Sequence, residues 1–246
     1  MDDDMCSPLG KEKQKFLSSD KSRKGSVDKN IVDLIDYIND RAEYCTTSSC
    51  SGRIVVYQQP ENSDGQVKKG CHWLFVSHDQ VNVNDVLESL KDHKDSSVFK
   101  FEPFILHVRC ISLEAAKKLL TVSIASGFRN SGITLGNSGK IMLAVRSTHG
   151  LEVPLSCNGN MLVSDQYLSY IVEKGNDKLL ENEKKIERFF SGLKTAVNNI
   201  EVTEEASSKQ FNKIKIIPHS EKRLPEAFEE EYKLDGLSEL LTQHKI

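Results

Sequence analysis

Apolar residues recur at helical spacing in two stretches near the ends of the chain. The first stretch follows Asp28, which is predicted to cap a helix whose apolar face is formed by Ile31, Val32, Leu34, Ile35 and Ile38. The second begins at Ser164 or Asp165 and is predicted to run to about Asn198. Its stripe consists of Leu168, Ile171, Val172, Leu179, Ile186, Phe189, Phe190 and Leu193. Both patterns are typical of amphipathic helices.

Shorter apolar runs between these helices predict strands. The longest run, Val98–Cys110, contains Pro103, which indicates an edge position, a bulge or a break at that point. The other predicted strands are Arg53–Tyr57, His72–Ser77, Gly132–Leu135, Lys140–Ser147, Leu151–Ser156 and Met161–Val163. Glycines at both ends of Gly136–Gly139 predict a hairpin turn there.

Two further helices and two loops complete the prediction. One helix is expected at Asn84–His93 and another from a Ser112 cap to about Ser126, with Gly127 as the residue that ends it. The polar stretches Tyr44–Gly52 and Gln58–Gly70 are predicted to be loops.

The predicted order of elements is α-β-β-α-β-α-β-β-β-β-α. It lacks strict β-α alternation, so it predicts an α+β fold with a mixed β-sheet and flanking helices, not a Rossmann fold. Residues 1–15 are polar and are expected to be flexible, and residues 16–198 are expected to form a single α+β domain. Residues 199–246 carry ten acids and seven bases with few apolar residues, which predicts a mostly disordered charged tail.

Composition excludes several classes of protein. The 246 residues are 38% hydrophobic and 28% charged, which allows a real core, and no apolar run approaches the roughly 20 residues that cross a bilayer. The N-terminus is acidic and then basic without an apolar stretch, so it does not resemble a secretory signal. The six cysteines include no C-x-x-C pair, which is typical of reduced thiols in the cytoplasm.

A metal site is the alternative interpretation of the cysteines. It would use Cys45, Cys50, Cys71, His72 and His78. A C-x4-C pair followed by Cys-His in a predicted strand does not match common zinc spacings, so no metal site is predicted.

Charge is unevenly distributed, although the net charge is only −3. Seven bases and two acids give Ser97–Gly150 a charge of +5, and seven bases and three acids give Lys11–Asn30 a charge of +4. A basic face on a near-neutral protein is the usual sign of an anionic partner such as RNA, and solvated helix and strand faces are the alternative.

Small polar residues concentrate in four short segments at predicted strand ends and loops. These are Thr46–Arg53, Ser77–His78, Gly127–Gly132 and Arg146–Pro154. Loops of this composition expose amides and hydroxyls that hold anions or sugar edges, and Arg53, Arg129 and Arg146 add guanidinium groups. Four such segments in one small domain favour a single polar pocket. Neither a dinucleotide fingerprint nor a P-loop is present in the chain.

The same segments resemble the tRNA wybutosine-synthesising protein 3 family. The stretches that carry the resemblance cover about residues 16–195 in the family's order. They are Ser22–Asp28, Thr46–Ile54, Trp73–His78, Phe99–Val108, Gly127–Ile133 and Met142–Pro154.

This resemblance implies an S-adenosylmethionine-dependent methyltransferase of wybutosine biosynthesis, with an α+β architecture of its own. The implied reaction is N4 methylation of the 7-aminocarboxypropyl-demethylwyosine base at position 37 of phenylalanine tRNA, beside the anticodon. The implied cofactor is S-adenosylmethionine and the implied partner is the anticodon loop of that tRNA.

Residue type and the family match together assign roles to the polar segments. The guanidinium groups of Arg53, Arg129 and Arg146 are expected to bind the carboxylates of the donor and base or nearby phosphates. Hydroxyl groups that would contribute to donor binding belong to Ser48, Ser49, Ser51, Ser131 and Ser147.

The target nitrogen must lose a proton, and three side chains are candidate acceptors. These catalytic candidates are His78, His149 and Glu152. Candidate substrate contacts are Lys24 with tRNA, Glu102 with a sulfonium or amine, and Trp73 and Phe128 through stacking. Core packing is the alternative for Trp73, and His107 is equally consistent with a core histidine.

Three other functions remain open on sequence grounds. The first is a non-catalytic tRNA-binding module that uses the same basic face. The second is a metal-dependent or redox protein, and the third is a metabolic enzyme that acts on a small anionic substrate.

Overall fold

The structure, a computed structural model, describes residues 26–59, 71–91 and 94–211, with backbone alone from residue 197 onward. In this part of the chain a 3-10 turn at Lys29–Ile31 precedes the helices α1 (Val32–Asn39), α2 (Val83–Ser89), α3 (Leu113–Ala125) and α4 (Asp165–Phe211). The strands are β1 (Tyr44–Cys50), β2 (Arg53–Gln59), β3 (His72–Ser77), β4 (Ser96–Glu102), β5 (Ile105–Cys110), β6 (Gly132–Leu135), β7 (Ile141–Arg146), β8 (Leu151–Pro154), β9 (Ser156–Cys157) and β10 (Asn160–Met161). The described residues up to Thr203 belong to one compact unit, and beyond it α4 continues to Phe211.

These strands form two four-stranded sheets and a short ribbon. The first sheet has the order β1-β5-β7-β6, the second has the order β3-β2-β4-β8, and β9 pairs with β10. All pairings among the described strands are antiparallel. The α+β class is therefore confirmed, and the sheet expected as one mixed unit consists of two antiparallel sheets.

Side chains of the paired strands alternate between a core and an outer face. In the second sheet Ile54 and Phe101 are buried, whereas Arg53 and Glu102 lie on the opposite face and are half-buried. The first sheet alternates in the same way, with Leu106 buried and His107 half-buried. Polar groups are thus placed on the outer faces by the strand period.

Helix α4 covers the inner faces of both sheets. Its N-terminal half, including Leu168 and Leu179, packs on the core of the second sheet, and residues such as Phe189 pack on the core of the first. Burial of a Leu or Phe side chain contributes about 1.5–3 kcal/mol, so this one helix supports both cores.

The chain passes between the two sheets three times. The crossovers are Ser51–Gly52 between β1 and β2, Pro103–Phe104 between β4 and β5, and residues 147–150 between β7 and β8. Fully buried Asn182 of α4 joins the first two, because its Nδ2 donates to the Ser51 carbonyl and its Oδ1 accepts from the Phe104 amide, both at 2.7 Å. The crossovers therefore converge on the middle of α4.

Several predicted elements are confirmed with little change. Strand β3 has the predicted bounds, and β4 and β5 are separated at Pro103. Ser112 Oγ accepts from the Ala115 amide at 3.1 Å and caps α3, and Gly127 follows that helix with a φ of 100°. None of the described helices has an apolar stretch long enough to cross a membrane.

Several elements differ from the prediction. The helix expected at Asn84–His93 is α2 at Val83–Ser89, the strand expected at Leu151–Ser156 is divided into β8 and β9, and of the strand expected at Met161–Val163 only Met161 belongs to a strand, β10. The segment expected as a loop at Tyr44–Gly52 is mostly strand β1. Its backbone pairs with β5, and this pairing forms the strand although the Ser- and Thr-rich segment has no strand pattern of its own. Helix α4 continues to Phe211 instead of ending near Asn198. The predicted flexible N-terminus at residues 1–15, most of the Gln58–Gly70 loop, and residues 212–246 of the predicted tail lie outside the described residues.

Candidate active site

The crossover between β1 and β2 brings together side chains from distant parts of the chain. Gly52 has a φ of 100°, and a Cβ there would lie 2.7 Å from Asn182 Nδ2, so only glycine fits without strain. Beside this turn lie Asp28, Cys50, Ser51 and His78, which we call the crossover site. Their ligand-type atoms are contributed by Asp28 before α1, by Cys50 at the end of β1 and by His78 directly after β3.

Asp28 holds this site together, although the sequence predicted it only as a helix cap. Its side chain makes no capping bond to the 3-10 turn, and its Oδ2 instead accepts from the Ser51 amide at 2.8 Å. The same oxygen lies 3.4 Å from His78 Nδ1. Asp28 is 8% exposed, so its carboxylate is fixed next to the imidazole by burial as well as by the hydrogen bond.

The protonation of His78 follows from its neighbours. Nδ1 lies 2.9 Å from the Gly52 carbonyl oxygen, which only accepts hydrogen bonds, so Nδ1 carries the hydrogen. Nε2 of the neutral ring therefore keeps its lone pair.

A cavity of about 340 Å³ opens beside His78 and Ser51. Its other charged walls are Lys29, Asp79, Glu183 and Glu187. Lys29 Nζ pairs with Asp79 at 3.1 Å, and the two glutamates come from one flank of α4. This first cavity is therefore acidic and within the size range of small-molecule sites, which is about 300–1,000 Å³.

Arg53 and Glu102 form an ion pair on the outer face of the second sheet. Arg53 Nε and Nη2 both lie 2.8 Å from Glu102 Oε2, and the Arg53 guanidinium stacks 4.5 Å above the Trp73 ring. The structure thus joins three of the predicted residues. Cys50 lies in the electrostatic reach of both this pair and Asp28, and burial is the largest cause of the raised pKa of its thiol.

Glu152 belongs to the same outer face through Lys100. The Lys100 ammonium lies 3.0 Å from Glu152 and 3.7 Å from Glu102, and the Tyr57 hydroxyl donates to Glu152 at 3.5 Å. A second cavity, of about 400 Å³, is lined by these charged groups together with Ser147 and Thr148 of the β7–β8 crossover.

A third group lies on the outer face of the first sheet. His107 Nε2 is 3.1 Å from Arg146 Nη2, which can only donate, so His107 Nδ1 donates to Ser48 Oγ at 2.9 Å. Ser131 Oγ accepts from the Arg146 amide at 3.1 Å. Burial, followed by Arg146, lowers the pKa of His107. His107 is thus a hydrogen-bonded residue of the outer face, not a core histidine.

His149 lies on the other flank of α4, opposite the first cavity. Its Nδ1 is 3.2 Å from Lys185 Nζ and also contacts Ser147 Oγ, and its backbone carbonyl accepts from Lys178. The ammonium donor makes Nδ1 an acceptor, so Nε2 carries a hydrogen and has no partner among the described residues. Burial, followed by Lys185, lowers the pKa of His149.

The remaining predicted residues do not gather at one point. Arg129 is exposed and acts electrostatically on Lys185. Ser49 lies on β1 opposite Leu106. Phe128 is fully buried, with its ring 5.2 Å from that of Phe104, so the prediction that it stacks on a substrate is wrong. Lys24 lies outside the described residues.

The single polar pocket expected from the sequence is therefore divided. Ser51 and His78 line the first cavity, Arg53, Trp73, Glu102 and Glu152 share the outer face of the second sheet, and Ser48, Ser131 and Arg146 surround His107. Ser147 and His149 contact Lys185. The crossover site and the outer face of the second sheet are neighbours in the chain, because only two residues separate Cys50 of the first from Arg53 of the second.

Comparison with known proteins identifies the family of this chain. The profile of the family described as Methyltransferase TYW3 matches residues 9–195. The chain belongs to this methyltransferase family. A human relative of the TYW3 family, named tRNA wybutosine-synthesizing protein 3 homolog, is 44% identical over 225 residues, covering 91% of this chain and 86% of that protein.

Two relatives from Pyrococcus horikoshii extend the comparison. One is named tRNA(Phe) 7-((3-amino-3-carboxypropyl)-4-demethylwyosine(37)-N(4))-methyltransferase 1 and is 38% identical over 172 residues, covering 70% of this chain and 86% of that protein. The solved structure of the PH1069 protein has a TM-score of 0.67 and 36% identity, covering 74% of this chain and 94% of that chain. The family and the fold expected from the sequence are confirmed.

Sequence reasoning missed Asp28 and Lys185 as members of the polar groups. Asp28 precedes an apolar helical stripe, where a cap is the ordinary interpretation, and it lies 50 residues before His78. Lys185 lies in a long charged helix whose lysines are not distinguishable by pattern. Only the fold shows that these two side chains reach the crossovers.

Proposed function

We propose that this chain transfers a methyl group from S-adenosylmethionine to N4 of the 7-aminocarboxypropyl-demethylwyosine base at position 37 of phenylalanine tRNA. The observation that carries the proposal is the orientation of His78, whose Nδ1 is held by Gly52 and Asp28 beside the acidic cavity. Membership of a methyltransferase family supports it. So does the name of the Pyrococcus relative, which specifies this N4 reaction.

His78 is the proton acceptor that the geometry favours among the three candidates. The lone pair of His149 at Nδ1 is occupied by Lys185, and Glu152 is paired with Lys100 and Tyr57. Nε2 of His78 keeps its lone pair, because Nδ1 carries the hydrogen that faces the Gly52 carbonyl and the Asp28 carboxylate. Asp28 is accordingly a positioning residue.

The first cavity fits the chemistry of the donor. When bound, S-adenosylmethionine supplies a methyl group on a positively charged sulfonium, and it also carries an ammonium and a carboxylate. Glu183 and Glu187 would hold the cationic groups, and the Lys29 ammonium would hold the carboxylate. Proximity of the bound donor and base to His78 would then supply most of the rate acceleration.

Two of the arginines have different roles in this proposal: Arg53 is structural, and Arg146 binds the substrate. Arg53 is committed to Glu102 and Trp73, so it orders the outer face instead of binding a free carboxylate. Arg146 is exposed and is oriented by His107, which leaves guanidinium donors for the carboxylate of the aminocarboxypropyl arm. This assignment places Ser48 and Ser131 as supports of the Arg146 site.

Phosphates of the tRNA would lie along a basic flank of α4. We define this basic flank as Arg129, Lys178, Lys185 and Arg188, four cations with Glu181 as the acid that pairs with Arg188 at 3.1 Å. Backbone phosphates are bound mainly through such charges, without regard to sequence. A cytoplasmic location is proposed with this substrate and is consistent with the free, buried thiols of Cys45 and Cys110.

Calorimetry with S-adenosylmethionine tests this function against a non-catalytic tRNA-binding module. We expect the full chain to bind the donor, and Glu183→Gln combined with Glu187→Gln to weaken that binding at least about tenfold, since a charge-assisted contact contributes about 1.5–3 kcal/mol. Glu173→Gln, an exposed glutamate on the same helix, is the matched control and should bind normally. Binding of tRNA without binding of the donor would favour the module instead.

A further inference from the structure

The crossover site contains a set of metal-ligand atoms, of which the proposed reaction uses His78 and its positioning residue Asp28 but not the Cys50 thiol. One carboxylate oxygen of Asp28, Sγ of Cys50 and a ring nitrogen of His78 all lie within 4.8 Å of one another. Asp28 lies 22 residues before Cys50 in the chain, so spacing rules for zinc sites, which consider cysteine and histidine, do not detect this set.

The distances in this set suit a tetrahedral ion. Bonds of about 2.0–2.2 Å from zinc to nitrogen and oxygen place those two ligand atoms about 3.3–3.5 Å apart at a tetrahedral angle. Asp28 Oδ2 and His78 Nδ1 are 3.4 Å apart. A sulfur ligand with a bond of about 2.3 Å needs an edge of about 3.6 Å. Because Cys50 Sγ lies within 4.8 Å of the other two ligand atoms, it must approach them by no more than about 1.2 Å.

The surroundings of the three ligands favour a cation as well. The Ser51 amide fixes the Asp28 carboxylate at 2.8 Å, which pre-orients one ligand. The cavity that His78 lines has three carboxylates, Asp79, Glu183 and Glu187, and one ammonium, that of Lys29. One thiolate, one imidazole and one carboxylate suit Zn²⁺ and similar ions, whereas Mg²⁺ and Ca²⁺ prefer oxygen alone.

We propose that Asp28, Cys50 and His78 form a binding site for a thiophilic divalent cation of the Zn²⁺ class, and that an ion bound there inhibits the methyl transfer. Cys50 loses its thiol proton to solvent when its sulfur binds the ion. The hydrogen on His78 Nδ1 moves to Nε2 as Nδ1 becomes a ligand, so Nε2 no longer accepts a proton. The inhibition, but not the binding, rests on the proposed function of His78.

Titration of the full chain with Co²⁺ tests the binding site, because a cobalt–thiolate bond gives a charge-transfer band in the near ultraviolet. We expect the band in the wild type and in Cys157→Ser, whose exposed cysteine lies outside the site, and no band in Cys50→Ser. Zn²⁺ should displace the cobalt, and Asp28→Asn should weaken Zn²⁺ binding at least about tenfold. Absence of the band in the wild type, or its persistence in Cys50→Ser, overturns the site.

A rate measurement tests the inhibition separately. Zn²⁺ should abolish methyl transfer by the wild type, a chelator should restore it, and the ratio of rates with and without Zn²⁺ should return to one in Cys50→Ser. Full activity with the site occupied overturns the inhibition. If the chain transfers no methyl group under any condition, the proposed function fails, and the cobalt titration still decides the metal site.

Discussion

Three histidines near the crossovers differ in whether the ring nitrogen that lacks the hydrogen is occupied by a donor. Lys185 donates to His149 Nδ1 and Arg146 donates to His107 Nε2, so in each of these rings the basic nitrogen is occupied. His78 donates from Nδ1 to a backbone carbonyl, which leaves Nε2 as the basic atom. The three side chains are chemically identical. Their hydrogen-bond partners differ, and these partners leave only His78 of the three with a basic nitrogen that can accept a proton.

Replacement of His78 tests this assignment at the residue scale. We expect His78→Ala to lower kcat for methyl transfer by about 10²–10⁴-fold, the usual contribution of a general base, with little change in KM for tRNA. His72→Ala, an exposed histidine on β3, is the matched control and should keep the wild-type rate. A His78→Ala enzyme with near-native kcat and unchanged melting would contradict the assignment.

Several site residues were accessible to sequence reasoning and others were not. Ser51, Arg53, His78 and Glu102 were identified from polar segments and the family resemblance, and the structure places Ser51 beside His78 and Arg53 beside Glu102. Asp28 was missed because a local cap explained it, and Phe128 was misassigned because a polar segment surrounds a residue that is fully buried. In both cases the position of the side chain is determined by contacts with residues distant in sequence, which local sequence patterns do not show.

At the scale of elements, α4 links the three crossovers through its middle turns. Asn182 satisfies a carbonyl of the β1–β2 connection and an amide of the β4–β5 connection, and all of these groups are buried. The crossover site is therefore positioned by Asn182, which follows Ser51 by 131 residues in the sequence. Its geometry depends on the packing of α4 against both sheets.

Removal of the Asn182 amide should destabilise the protein. Asn182→Ala leaves the Ser51 carbonyl and the Phe104 amide without their partner, and each unsatisfied buried group costs about 1–3 kcal/mol, so we expect a loss of about 2–5 kcal/mol in the free energy of unfolding. Chemical denaturation measures this loss. Asn84→Ala, at an exposed position of α2, should change stability by less than about 0.5 kcal/mol. Equal stability of the two variants would refute the role of Asn182.

Sequence patterns predicted most of the elements because strong local signals mark their ends. The cap at Ser112, the break at Pro103 and the turn at Gly136–Gly139 are each local, and all three are found. Strand β1 was missed because its Ser- and Thr-rich sequence has no clear alternation, and a register shift between Thr46 and Ser48 interrupts its period. Division into two sheets also had no local signal.

At the scale of the whole molecule, the two flanks of α4 carry opposite charges, although the net charge of the chain is small. Glu183 and Glu187 line the first cavity on one flank, and Lys178 and Lys185 contact the β7–β8 crossover on the other. The basic Ser97–Gly150 region found in the sequence contributes Arg129 to this second flank. A cationic donor and a polyanionic RNA would thus bind at separate surfaces.

Salt dependence of tRNA binding tests the basic flank. Arg129→Gln should weaken binding and reduce the slope of log K against log salt by about 0.7–0.9, the change expected for loss of one phosphate contact. Lys91→Gln, an exposed lysine after α2, should leave the slope unchanged. Lys24→Gln is predicted from the sequence to behave like Arg129→Gln. An unaltered slope in Arg129→Gln would remove this residue from the RNA surface.

Product analysis tests whether this chain methylates N4 of the tricyclic base. The purified chain would be incubated with S-adenosylmethionine carrying a labelled methyl group and with phenylalanine tRNA that lacks the N4 methyl group, and its nucleosides analysed by mass spectrometry. We expect one added labelled methyl group on the position-37 nucleoside, at N4. If incubation with S-adenosylmethionine leaves this nucleoside unmethylated, or adds the methyl group at another position, the proposed N4 methylation is wrong.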